Sequence, residues 1–115
     1  MDNFLILYST NRANSRHLKL FLIYYYYMKI NVMTKIIAAC ANDQRLEILK
    51  YLKQKKYVNV SNISNHINMS IKSVSKHLII LHQAHIIKRD REGTEIFYSL
   101  NRPLNEVSKN IVALL

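Results

Sequence analysis

The chain has 115 residues, 50% of them apolar, and 17 Lys and Arg against 7 Asp and Glu, for a formal charge of +10. That length suits one small domain, and the apolar share excludes global disorder. The single Cys excludes an internal disulfide or a multi-thiolate zinc site, the single Gly excludes phosphate-cradling glycine loops, and the positive surplus points to a polyanion, either nucleic acid or an anionic membrane surface.

Residues 1–33 show no clean helical or strand period and are expected to form an N-terminal extension. Their densest apolar run, Leu20 to Met28, lies between Lys19 and Lys29 and is too short to cross a bilayer, which takes about 20 apolar residues. Two readings of the stretch stand side by side: a helix that contacts a second copy, or a start assigned too early, with Met28 or Met33 the true first residue. No membrane partner is expected.

Orderly patterning begins at Thr34, and residues 34–115 are expected to form the folded domain. Thr34 to Ala41 is helix-compatible, with Ile36, Ile37 and Cys40 directed at the core. Asn42 or Asp43 supplies an N-cap for a helix whose Leu46, Ile48, Leu49 and Leu52 recur at helical spacing. Asn59 caps a shorter helix with Val60, Ile63 and Ile67 inside. After Asn68-Met69, Ser70 caps a third helix with Ile71, Val74, Leu78 and Leu81 on its buried side. Two short helices, a tight turn and an exposed polar start to the second make a helix-turn-helix.

Beyond His85 the period changes to alternation. Ile86 to Asp90 leads into Arg91-Glu92-Gly93-Thr94 and then Glu95 to Leu100, so the chain's only glycine, Gly93, sits between two strand-like runs where a hairpin needs positive φ. This is a β-ribbon with a basic tip, a wing. Pro103 is expected at the first position of a last helix, along which Leu104, Val107, Ser108, Ile111, Leu114 and Leu115 share a face. The fold class expected is mainly α with a small β-hairpin wing, a winged helix-turn-helix.

Residues 35–107 resemble the ArsR-type winged-helix transcriptional repressors. Ala41-Asn42-Asp43-Gln44-Arg45-Leu46-Glu47-Ile48-Leu49 is similar to the family's A-x-x-D-P-x-R-L-x-I-L opening, and Asn59-Val60-Ser61-Asn62-Ile63 to its x-V-S-E-L helix start. Ser70-Ile71-Lys72-Ser73-Val74-Ser75-Lys76-His77-Leu78 resembles its S-x-x-x-V-S-x-H-L recognition helix, and Arg91-Glu92-Gly93-Thr94 with Phe97-Tyr98 its R-x-G-x…Y-Y wing. The resemblance implies a homodimeric repressor of transcription, acting on double-stranded DNA in the cytoplasm. The chain departs from the family's metal sensors: Tyr57-Val58-Asn59-Val60-Ser61 stands where those carry Cys-Val-Cys, the last helix has no histidine, and Cys40 has no thiol partner. Asn68 and His85 also replace customary glycines.

The DNA-contacting residues expected are Ser70, Lys72, Ser73, Ser75, Lys76 and His77 at the start of the third helix, with Lys88, Arg89, Arg91 and Thr94 in the wing. Leu104, Val107, Ile111, Leu114 and Leu115 are expected to carry the dimer contact. No metal site or cofactor is expected. His77 and His82 lie about 140° apart on a helix, and His82 with His85 lacks a third ligand. No enzyme is expected either, because the seven carboxylates show no convergent clustering and Cys40 has no oriented base beside it in the pattern.

Overall fold

The computed structural model describes residues 15–115; residues 1–14, part of the expected N-terminal extension, lie outside the described residues. In chain order the elements are α1 (Ser15–Cys40), α2 (Asp43–Lys55), β1 (Val58–Asn59), α3 (Val60–Ile67), α4 (Ile71–Gln83), β2 (Ile87–Glu92), β3 (Glu95–Leu100) and α5 (Glu106–Ala113). The chain separates into two units, residues 1–32 and 33–115.

Among the described residues, helix is already present at Ser15, ahead of Thr34. Sequence periodicity misses this stretch because its apolar side chains point all round: Leu20, Leu22, Ile23, Tyr24, Tyr26 and Tyr27 are exposed, while Leu18, Phe21 and Tyr25 are half-buried. A helix without one apolar stripe has no helical signature to read. Phe21 and Tyr25, one turn apart, stack with ring centroids 6.4 Å apart.

In residues 33–115 the core gathers Ile36, Ala39 and Cys40 of α1, Ile48, Leu49 and Leu52 of α2, Ile63 of α3, and Val74, Leu78 and Leu81 of α4. Ile86, Ile87, Tyr98, Leu100 and Val112 close it. Two residues expected inside are not: Ile37 is 51% exposed and Ile71 is 50% exposed. Ile37 falls about 100° from Ile36, off the stripe shared with Ala39 and Cys40. Ile71 is the first helical residue of α4, whose burial begins only at Val74.

Local chemistry sets the boundaries. Asn42, Asn59 and Ser70 each accept a hydrogen bond from the backbone three residues on, through Arg45, Asn62 and Ser73, and so cap α2, α3 and α4. Asn68 ends α3 in the left-handed region at φ 55°, and His85 does the same after α4 at φ 58°. Buried Ser64 clamps the turn, donating its hydroxyl to the Met69 carbonyl while its own carbonyl accepts from the Met69 amide. The last helix begins later than Pro103 suggests. Asn105, whose Oδ1 accepts from the Val107 amide at 2.9 Å, is the cap, and Arg102–Pro103 is a cis peptide in the preceding bend.

The strands form an antiparallel sheet in the order β1-β3-β2, with Ile87 opposite Leu100 and Glu92 opposite Glu95. Beyond the expected hairpin, β1 adds two residues, Val58 opposite Tyr98 and Asn59 opposite Phe97. Two residues are too few to show an alternation in sequence. Gly93 turns the hairpin at φ 62°.

His85 holds a left-handed backbone with a β-carbon that glycine would not carry, so His85→Gly is expected to raise unfolding stability by about 0.5–1 kcal/mol. Urea denaturation checks this; unchanged or lower stability would show that the side chain contributes more than its backbone costs.

Candidate nucleic-acid interface

The candidate surface follows from what α4 buries. At about 100° per residue, Val74, Leu78 and Leu81 occupy one narrow sector, and Ser75, Lys72, Lys76 and Ser73 spread over the opposite side. Lys72 and Lys76, four residues apart, share one exposed line, and Ser73 and Ser75 flank it half-buried. At the N-terminus Ser70 and Ser73 form a pair: the Ser70 hydroxyl accepts from the Ser73 amide at 3.1 Å and donates to the Ser73 hydroxyl at 3.0 Å. These hydroxyls are oriented by the cap itself.

His77 stands apart from the other expected contacts. It lies about 40° from Leu81 around the helix, at the edge of the buried sector. Its Nδ1 meets Arg45 Nη1 of α2 at 3.2 Å, and the same guanidinium donates from Nε to the Ala39 carbonyl at 2.6 Å and from Nη2 to the Ala38 carbonyl at 3.4 Å. Burial, with the Arg45 charge adding to it, pulls the His77 pKa below its ordinary 6.5. Burial also pushes the Cys40 thiol up, with Arg45 acting the other way. A protonated thiol is a poor nucleophile.

In the wing, Lys88, Arg89, Arg91 and Thr94 are all exposed. Lys88 approaches Asp90 at 3.8 Å with 61% of its side chain exposed, a pair too solvated to hold the lysine. Arg91 Nε donates to the Gly93 carbonyl at 3.3 Å, folding that side chain back over the turn. The hairpin is latched to the body by Tyr57. Its ring stacks on Phe97 with centroids 4.8 Å apart, and its hydroxyl donates to Glu92 Oε1 at 2.9 Å. In the strand register Glu92 stands opposite Glu95, a like charge, so the tyrosine hydroxyl gives Glu92 a favourable partner. Sequence reading took Tyr57 only as part of a stretch lacking thiols; its spacing from Glu92 carries no local signal.

A second concentration of charge lies at the base of the wing, where Lys53, Lys56, Lys88 and Arg102 line a cleft of about 460 Å³ with Ser99. Lys53 Nζ donates there to the Val112 carbonyl at 3.1 Å. Among the described residues no three His, Cys, Asp or Glu stand together as metal ligands. His66 stacks on Tyr51 at 3.9 Å, and His82 and His85 are exposed.

The residues expected at a dimer contact divide. Leu104, Val107, Ile111 and Leu115 pack half-buried against the core of their own chain, alongside fully buried Val112. Leu114, just past α5, is 88% exposed.

Residues 42–89 match the sequence profile described as "Bacterial regulatory protein, arsR family". The chain is 32% identical over 77 residues to the transcriptional repressor PagR of Bacillus anthracis, covering 67% of this chain and 77% of PagR. It is 37% identical over 78 residues to the transcriptional repressor SdpR of Bacillus subtilis, covering 68% and 86%. The crystal structure of PagR superposes with a TM-score of 0.66 at 31% identity, over 77% of this chain and 99% of that one. The solution structure of a homodimeric winged helix-turn-helix DNA-binding domain from Mycobacterium bovis, a possible ArsR-family regulator, gives 0.66 at 26% identity over 76% and 78%.

Desolvation, then the hydrogen bond and charge of Glu92 and the charge of Asp90, push the Tyr57 phenol up to about 12 from its ordinary 10.0. The raised value means the latch stabilises the fold below pH 10 and that this contribution is lost as pH climbs toward 12. Glu92→Gln is expected to bring the Tyr57 titration down, read from its ring resonances by NMR. An unmoved titration would show the latch is not formed.

Proposed function

The chain belongs to the arsR family of bacterial regulatory proteins, winged-helix regulators of transcription rather than enzymes, and on that premise we propose that it is a homodimeric repressor that binds double-stranded DNA sequence-specifically. The observation that carries this reading is the division of α4: Val74, Leu78 and Leu81 are buried, and Lys72 and Lys76 stand exposed on the other side with Ser70, Ser73 and Ser75 around them. Lysine reaches guanine O6 and N7 or a phosphate, and serine hydroxyls accept or donate to several bases, so base reading is moderate and positioning matters. The wing adds Lys88, Arg89, Arg91 and Thr94 beside the helix for backbone contact.

A homodimer sets two such helices about 34–36 Å apart in successive major grooves of a roughly palindromic site. The homodimeric Mycobacterium bovis DNA-binding domain supports the dimer, and the repressors PagR and SdpR support the repressor role. Leu104, Val107, Ile111, Leu114 and Leu115 form the contact, with Leu114 the side chain that its own core leaves bare. The work proposed lies in the cytoplasm, with DNA as the partner and no bound cofactor. Among the described residues no helix is long and apolar enough to cross a membrane.

Selection from a random-sequence duplex library is expected to enrich one roughly palindromic motif, and Lys72→Ala or Lys76→Ala to weaken binding several-fold. Each lost phosphate contact lowers the log–log salt slope by about 0.9. No enriched motif, or affinity indifferent to salt, would overturn the reading. Leu114→Glu is expected to shift the protein toward monomer in sedimentation equilibrium with its helical circular dichroism retained, since Leu114 contributes little to its own core. A dimer that persists would place the contact elsewhere.

A further inference from the structure

Arg45 sits in the first turn of α2, its backbone amide on the Asn42 cap, and its side chain leads away from that helix. It joins two others. Its Nε and Nη2 cap the Ala39 and Ala38 carbonyls at the end of α1, groups that a helix C-terminus leaves without intrahelical donors. Its Nη1 reaches His77 on α4. The guanidinium has five donors and no acceptor, so His77 Nδ1 faces it with a lone pair and the ring carries its proton on Nε2. Adding a second proton sets N–H against N–H and one cation against another at 3.2 Å.

We propose that Arg45 is a positioning residue for DNA binding: through neutral His77 it braces recognition helix α4 against the end of α1, and protonation of His77 releases the brace and weakens binding. The proposal rests on the DNA-binding function above and adds its dependence on acidity. Arg45 is the charge that acts on His77 from α2, and α1 presents the two carbonyls and the buried Cys40 thiol beside the guanidinium. On α4 the neighbouring charge is Lys76, exposed. The carboxylates of α2, Asp43 and Glu47, line a separate cleft with His66 of α3, whose ring is taken up by Tyr51.

The sign distinguishes this role from direct contact. A histidine that touches phosphate binds more tightly as it gains charge, so acidification would strengthen its DNA complex. A histidine that must stay neutral to hold its helix does the opposite. The same sign holds for folding: a pKa depressed in the folded state contributes stability above 6.5, which is lost as pH falls through the folded value.

Two measurements test it. The first follows the His77 ring by NMR in the free protein. It is expected to titrate below 6.5 in the natural sequence and to move upward in Arg45→Gln; an ordinary titration that ignores Arg45→Gln overturns the proposal. The second measures affinity by fluorescence anisotropy for a mixed-sequence duplex of about 30 base pairs, which spans two successive major grooves, at constant ionic strength from about pH 8 to about pH 5.5. His77→Asn offers Arg45 an acceptor that cannot be protonated, and it serves as the reference for charging at His17, His66, His82 and His85. The natural sequence is expected to lose affinity relative to His77→Asn progressively as pH falls over that range. Equal pH profiles, or a relative gain on acidification, overturn the proposal. A protein that binds no duplex at about pH 8 overturns the function proposed above and the DNA half of this proposal together, while the ring titration still decides whether Arg45 and His77 are linked.

Discussion

Burial of a single sector of α4 governs the rest of the domain. Val74, Leu78 and Leu81 have essentially no exposed surface, and a helix gripped this way can present only one side to solvent. Rotating α4 by one residue would move the sector by about 100°, exposing leucine and burying lysine, so packing enforces which side chains face outward. The turn feeding α4 serves the same end. Asn68 takes the left-handed backbone, Ser64 ties both polar groups of Met69, and Ser70 caps the helix, so both its starting point and its rotation are fixed.

The wing is attached by different physics. A two-stranded ribbon is marginal by itself in water. Here it gains a third, two-residue strand at β1, burial of Ile87, Tyr98 and Leu100, and the stacked and hydrogen-bonded Tyr57. Asn101 adds a further tie, donating its side-chain amide to the His85 carbonyl and its backbone amide to Ile86. The base of the ribbon is thus fixed to the helical body while its charged residues stay in solvent. The positive charge is distributed accordingly. Residues 34–115 hold thirteen cationic and six anionic side chains, against four and one in residues 1–33, so most of the surplus belongs to the winged-helix part.

What could be read from sequence was local. Asparagine and serine before an apolar period gave the caps of α2, α3 and α4, and the lone glycine between alternating runs gave the hairpin. Asn68 and His85 stand where glycine is customary, and both adopt the conformation glycine would have taken. What escaped reading depended on partners distant in the chain or on weak patterns. The first half of α1 lacked a stripe, β1 was too short to alternate, and Asn105 displaced Pro103 as the start of α5 through a side-chain bond that proline cannot make. His77 shares its motif with the other expected DNA contacts, while its angle beside Leu81 sets it near the buried sector. Arg45 lies 32 positions from it, and no local pattern marks such a pair.

Gly93 carries a consequence for how such a protein can diversify. A β-carbon added there would meet no atom within 4 Å, so the tip of the hairpin is constrained by backbone angle alone and not by packing. Residues that tolerate the left-handed region, asparagine foremost, fit without disturbing anything beneath. A β-carbon at position 93 meets neither the core nor α4, so what a substitution there costs is set by the backbone angle, while α4 is held by its buried sector.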